Sequence, residues 1–194
     1  MSINCTDREA LERFMRENEK ESRYRHSLGV EDMAVRFAKT WGADTDKARF
    51  AGRYHDIAKN FDQERMDNLI RKYDLPDELI GNNALAHSKV AAEILRNEFG
   101  VDDEDILNAV RYHTTGRSNM SLLEELVFVA DAVEDNRTYN DLKYYQNLAE
   151  TDLDRACFEI LEFTIWFLES KDRQIHKDTI EARDWVWKKI KGDN

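Results

Sequence analysis

A chain of 194 residues is one domain's worth of sequence, and its formal net charge of −11 excludes nonspecific binding to nucleic acid or an anionic membrane, which needs a basic surface. Charged residues at 36% beside hydrophobic ones at 41% fit a soluble globular protein, and only 7 glycines and 1 proline argue for long helices with little sheet. Cys5 and Cys157 lack metal-site spacing and read as free thiols of a reducing cytoplasm.

In chain order, Thr6-x-x-Glu9 reads as a capping box that opens a first helix with Leu11, Phe14 and Met15 on one side. The charge density from Thr6 to Glu21 argues against an N-terminal signal. A second helix is expected from about Glu21 to Thr40, stopped by Gly42. Asp44 or Thr45 caps a third, which carries Ala48, Ala51, His55, Asp56 and Ala58, and Asp62 opens a fourth through Met66, Leu69 and Ile70. Pro76 marks a break before a short helix at Asp77 to Ile80. Further helices are expected from Ala84 to Phe99, stopped by Gly100, and from Asp103 to Tyr112, with His113-Thr114-Thr115-Gly116 as the exit turn. The acidic run Asp102 to Asp105 suits that helix's positive N-terminal end. Ser121-x-x-Glu124 is a second capping box, opening the helix that carries Asp131. Helices at about Asp152 to Ser170 and Thr179 to Lys191, the latter capped by Asp178-x-x-Glu181, complete an all-α, single-domain chain over 1–194. The most apolar stretch, Cys157 to Leu168, is interrupted by Glu159 and Glu162 and reads as a core helix, so no membrane association is expected. Tyr144-Tyr145, Trp166, Trp185 and Trp187 read as core side chains rather than as a base-stacking platform.

Four of the five histidines, His26, His55, His87 and His113, fall within or at the edge of helical patterns among small or apolar neighbours. With Asp56 and Asp131 they supply the imidazole and carboxylate donors that first-row metal ions favour. Gly29 lies one turn past His26, Ala51, Gly52 and Ala58 flank His55, and Ala84 and Ala91 flank His87. Small residues at those spacings let helices approach until their side chains converge. Asp131 is the sole polar residue from Leu126 to Val133, so its helix buries it in almost any orientation. A buried carboxylate without a partner costs several kcal/mol, so it needs a cation, either an arginine or a metal. Lys59, one turn beyond His55-Asp56, could hold a substrate phosphate or pair with Asp56; Arg23 carries the same two readings, and Arg137 reads as aimed into the site or as a solvated surface arginine. The residues alone describe a helical metallohydrolase; if its substrate is a phosphate ester, local cations or a metal must invert the acidic field.

The order His, His-Asp, Asp on helices resembles the HD superfamily of metal-dependent phosphohydrolases. More closely, the chain resembles the YqeK family, bacterial symmetrical dinucleoside-tetraphosphate hydrolases. The matching segments are Tyr24-Arg25-His26-Ser27, His55-Asp56-Ile57-Ala58-Lys59, Ala86-His87-Ser88, Arg111 to Gly116, Phe128-Val129-Ala130-Asp131 and Ile175-His176-Lys177-Asp178-Thr179-Ile180-Glu181-Ala182-Arg183. The His-Thr-Thr-Gly turn and the C-terminal stretch are the specific ones. Asp135 and Lys177 stand where the family tends to have proline.

The resemblance implies an HD-type bundle with a metal-binding core at about 20–138 and helices over 150–191 completing a nucleotide site. It implies iron, one or two ions, with manganese, cobalt or zinc as substitutes. Its primary ligands would be His26, His55, Asp56 and Asp131. His87 and His113 would face the phosphates, one of them protonating the leaving group, or would hold a second metal bridged by Asp56. Asp56, Lys59, His87 and His113 would be the catalytic set. Arg23, Lys59, Thr114, Arg137, Gln174, Ile175, His176 and Thr179, with His26, His87, His113 and Asp131, would line the nucleotide site. His176 read from composition alone is a solvated loop residue. The reaction implied is hydrolysis of diadenosine tetraphosphate to two ADP. The alternatives are another HD nucleotide phosphohydrolase or a metal-dependent nucleotide sensor without turnover. The acidic, aromatic-bearing surface permits a homodimer.

Overall fold

A computed structural model describes residues 3–192. They form ten α-helices, one short 3-10 turn and, among the described residues, no strand. The helices are α1 (Arg8–Asn18), α2 (Glu21–Trp41), α3 (Thr45–Tyr54), α4 (Gln63–Lys72), α5 (Asn83–Phe99), α6 (Glu104–Tyr112), α7 (Leu122–Val133), α8 (Leu142–Thr151), α9 (Leu153–Ser170) and α10 (Lys177–Lys191). The 3-10 turn covers Asp77–Leu79, after Pro76. The all-α expectation is met, and no helix is long and apolar enough to cross a membrane.

Helix α2 lies at the centre, packed on α3 and α7, while α6 closes against α3, α5 and α7. Its buried face runs through His26, Val30, Met33, Ala34, Phe37 and Ala38, at the three- and four-residue spacing of one helical stripe. Gly52 makes the α2–α3 contact close. A Cβ there would lie 3.0 Å from the Val30 carbonyl oxygen and from the Glu31 Cα. Helices α8, α9 and α10 form a second group in which α9 packs on α7, α8 and α10, while α4 packs on α5.

Asp44, Asp62 and Ser121 cap α3, α4 and α7 as expected, the last in a full capping box. Two caps differ. Asp7 rather than Thr6 caps α1, its carboxylate accepting from the Ala10 amide at 2.8 Å. Thr6 is held elsewhere, donating its amide to the Phe99 carbonyl and packing on Gly100. Helix α10 is capped by His176, whose Nδ1 accepts from the Asp178 amide; the Asp178 carboxylate instead meets Lys89 Nζ at 3.4 Å. Helix α8 is absent from the sequence reading, because Asp141 makes no capping bond that would announce it. The aromatic residues also depart from expectation. Tyr144 and Trp166 are 53% and 60% exposed, and Trp187 is exposed as well, so only Tyr145 and Trp185 pack partly against the core.

Candidate metal centre

The six proposed donors come together. His26 is carried by α2, His87 by α5 and Asp131 by α7, while His55 and Asp56 sit in the tight turn after α3 and His113 in the turn after α6. The expectation that His55 and Asp56 ride within α3 is corrected: the helix ends at Tyr54. The turn lets adjacent residues aim at one point, which a straight helix, with about 100° between neighbours, resists.

Asp56 is the hub. Its Oδ2 lies 3.5 Å from His55 Nε2 and 3.9 Å from His26 Nε2. Its Oδ1 lies 3.2 Å from His87 Nε2 and 3.3 Å from His113 Nε2. Asp131 Oδ1 approaches His26 Nε2 at 2.9 Å and His55 Nε2 at 3.8 Å. Two overlapping groups of donors result, His26–His55–Asp131 and His55–Asp56–His113, each with its donor atoms within 4.8 Å of one another. All are buried except Asp131, whose side chain keeps 22% of its exposure. Burial of that carboxylate was expected; its partial opening leaves one side of the centre reachable.

The tautomers show what this arrangement needs. His55 Nδ1 faces the Gly52 carbonyl at 2.7 Å, His87 Nδ1 that of Asn83 at 3.1 Å, and His113 Nδ1 that of Val110 at 2.8 Å. His26 Nδ1 faces Glu134 Oε1 at 3.0 Å. With each Nδ1 held by an acceptor, a neutral ring keeps its one proton there and turns the Nε2 lone pair inward. His87 Nε2 and His113 Nε2 stand 3.1 Å apart, lone pair against lone pair. The Nε2 atoms of His26 and His55 and the Oδ1 of Asp56 are buried without a hydrogen bond. Such orphaned acceptors are costly unless a cation satisfies them, and a divalent metal ion fits this donor set.

The charge states follow. Burial would raise the carboxyl pKa values of Asp56 and Asp131, but the imidazoles beside each hold both well below the usual range. Burial pushes His87 down and His113 down to about 4, so both are neutral at pH 7. In His55 burial acts the same way, but Asp56 outweighs it and raises the ring.

Cations ring the centre. Arg23 Nη1 donates to Asp56 Oδ2 and Arg137 Nη2 to Asp131 Oδ1, both at 2.8 Å. Lys59 Nζ lies 3.0 Å from His87 Nε2, so its contact is with the imidazole rather than with Asp56. Thr114 Oγ1 reaches the same nitrogen at 3.1 Å. Thr114, Gln174, His176 and Thr179 line a cavity of about 390 Å3 at that end of the centre. Ile175 is not among its lining residues. His176 is half-buried as the α10 cap, not a solvated loop residue.

Two buried acids beside the centre escaped the sequence reading. Glu134 orients His26 through Nδ1, and Gly29 makes room for it: a Cβ at Gly29 would fall 2.3 Å from Glu134 Oε2. Glu134 follows the last residue of α7 in extended backbone, so helical periodicity does not mark it. Glu19 meets Ser27 Oγ at 3.3 Å, and burial pushes its carboxyl up to about 7 against the pull of His55 and Arg23. It lies outside every motif and left no local signal. The two departures from family prolines are accommodated. Asp135 Oδ1 accepts from Gln146 at 2.8 Å, and Lys177 takes the first position of α10.

Comparison with known proteins agrees with this geometry. Residues 23–136 match the HD domain family. The chain is 40% identical over 167 residues to a Bacillus subtilis protein named symmetrical bis(5'-nucleosyl)-tetraphosphatase, covering 86% of this chain and 90% of the relative. A Halalkalibacterium halodurans protein of the same name is 44% identical over 161 residues, covering 82% and 86%. A crystal structure from Clostridium acetobutylicum, described as a predicted HD superfamily hydrolase involved in NAD metabolism, superposes with a TM-score of 0.89 at 38% identity, covering 94% of this chain and 98% of that one. The fold, the converging His-Asp cluster and these matches place the chain in the HD domain family, in the branch of the relatives named as symmetrical tetraphosphatases.

Proposed function

We propose that the protein hydrolyses diadenosine tetraphosphate and related dinucleoside tetraphosphates to two nucleoside diphosphates at an iron centre, with manganese, cobalt or zinc as substitutes. The observation that carries this is the shared Asp56: one oxygen faces His26 and His55, the other His87 and His113. The relatives' names supply the substrate class.

In this reading His26, His55, Asp56 and Asp131 would hold the first ion, and His87 and His113 together with Asp56 would hold a second. Their neutral state at pH 7 suits lone-pair donation better than proton delivery to a leaving group. A divalent cation bound here supplies an activated water near neutral pH and neutralises charge on the phosphate. The chain's own cations do the rest of the electrostatic work. Arg23 and Arg137 keep 27% and 37% of their side-chain exposure, so each guanidinium has a face free for phosphate oxygens while the other holds a carboxylate. Lys59 Nζ, at the His87 end, is placed to donate to a nonbridging oxygen. Gln174, His176 and Thr179 grip one nucleoside half from α10 and the segment before it. The metal-binding core at about 20–138 and the helices over 150–191 thus act as one domain. Cys5 and Cys157 are both free thiols, which suits a cytoplasmic enzyme.

The test is product analysis. Protein loaded in turn with iron, manganese, cobalt and zinc is incubated with diadenosine tetraphosphate, and the nucleotides are separated. ADP as sole product is expected. ATP plus AMP would rule out symmetrical cleavage, and tight binding with no turnover under any metal would make the protein a sensor.

A further inference from the structure

Symmetrical cleavage sets a requirement that the metal centre cannot meet by itself. The central bridge of a dinucleoside tetraphosphate rests at the centre only when both identical halves are positioned, one on each side. The cavity containing Gln174 and Thr179 opens at the His87 end, through Thr114. On α7, Ala132 directly follows Asp131 and lines a second cavity of about 270 Å3. Thr164 of α9 borders both, so the two cavities lie side by side along one helix.

We propose that this second cavity is the subsite for the other nucleoside of the substrate, taking its purine base; the assignment rests on the tetraphosphatase reading. Its chemistry suits a base and not a phosphate. Tyr145, Ile160 and Phe163 give it apolar and aromatic walls, and every base has a π-face that can stack on such a ring. The Tyr139 hydroxyl donates to the Ala132 carbonyl at 2.8 Å, which fixes that ring as part of the wall. Asp141 is the charged member. It stands at the head of α8 yet makes no capping bond, and it is exposed. A carboxylate there repels phosphate and accepts from the exocyclic amino group of adenine or guanine. The connecting turn provides the path between. Arg137, two residues before Tyr139, reaches back to Asp131, so phosphates running from the centre to the cavity pass its guanidinium.

The experiment compares two substrates with the metal-loaded enzyme. Adenosine 5'-tetraphosphate has the same four phosphates and one base; diadenosine tetraphosphate has two. Wild type is expected to prefer the dinucleoside in kcat/KM. In Phe163→Ala, and separately in Asp141→Ala, the ratio of the two kcat/KM values should fall, by about tenfold for the lost stacking surface. Both side chains are exposed, so neither variant threatens folding. An unchanged ratio in both variants overturns the proposal, including the case in which both substrates slow equally because the face contacts a second copy of the chain. A wild type with no preference for the dinucleoside overturns it as well. Failure of the tetraphosphatase reading is seen separately, in the products of the wild type before any substitution is made.

Discussion

His26 shows how far a neighbour decides what a side chain can do. Glu134 takes the proton side of the ring, and only then does Nε2 face Asp131 and Asp56 as a pure lone-pair donor. Outer partners of this kind typically hold 10–100-fold in metal affinity. Glu134→Ala should therefore weaken metal binding by about 10–100-fold. Competition against a chelator measures it, and an affinity equal to wild type would separate Glu134 from the centre. At this scale the sequence was informative about the donors and blind to their supports. His26, His55-Asp56, His87, His113 and Asp131 are rare side chains in apolar settings, visible one by one. Glu19 and Glu134 are two acids among 40 acidic residues, and nothing local marks them as buried.

Among the elements, the junction of α6 with α10 explains why two separated motifs travel together. Gly116 closes the His-Thr-Thr-Gly turn at φ 63°, a left-handed conformation that glycine adopts freely. A Cβ on it would lie 2.9 Å from the Cβ of Ala182 in the C-terminal stretch. The turn and α10 thus touch where only glycine and alanine fit, and that contact sets Thr114 against Gln174 and Thr179 across their shared cavity. Gly116→Ala should cost about 1–3 kcal/mol of stability through the backbone conformation and the collision together. Urea denaturation measures this, and wild-type stability would show that the contact is slack. Helix ends were largely legible, since Asp44, Asp62 and Ser121 act through their own side chains. Thr6 and Asp178 misled because each is claimed by a residue far along the chain, Phe99 and Lys89.

For the whole molecule, α10 is fastened to α7 and α9 by a charge group built on the buried Glu125. Lys189 Nζ meets Glu125 Oε1 and Asp154 Oδ1, both at 2.7 Å, and Glu125 Oε2 has no partner. Burial pushes the Glu125 carboxyl up from 4.5 to about 7, with Lys189 pulling the other way. Folding therefore favours the protonated form. The contribution is present in full below about 4.5 and is lost as pH rises through about 7. Glu125→Gln keeps an acceptor for Lys189 and carries no titrating proton. Relative to wild type it should gain stability between pH 5 and pH 8, read from urea midpoints at the two values. Parallel behaviour at both would mean that Glu125 titrates alike folded and unfolded.

The sequence by itself determined the helical class, most helix boundaries, the six candidate donors and the family, because these are written in local periodicity, in caps that act within four residues and in uncommon side chains. Only the tertiary structure decided which oxygen of Asp56 faces which imidazoles, that Glu134 and Glu19 stand behind them, and that two cavities meet at Thr164 of α9. Those features are distances between residues such as Asp56 and His113, or Gly116 and Ala182, and a distance across a packed core is set by every helix in between rather than by any local pattern.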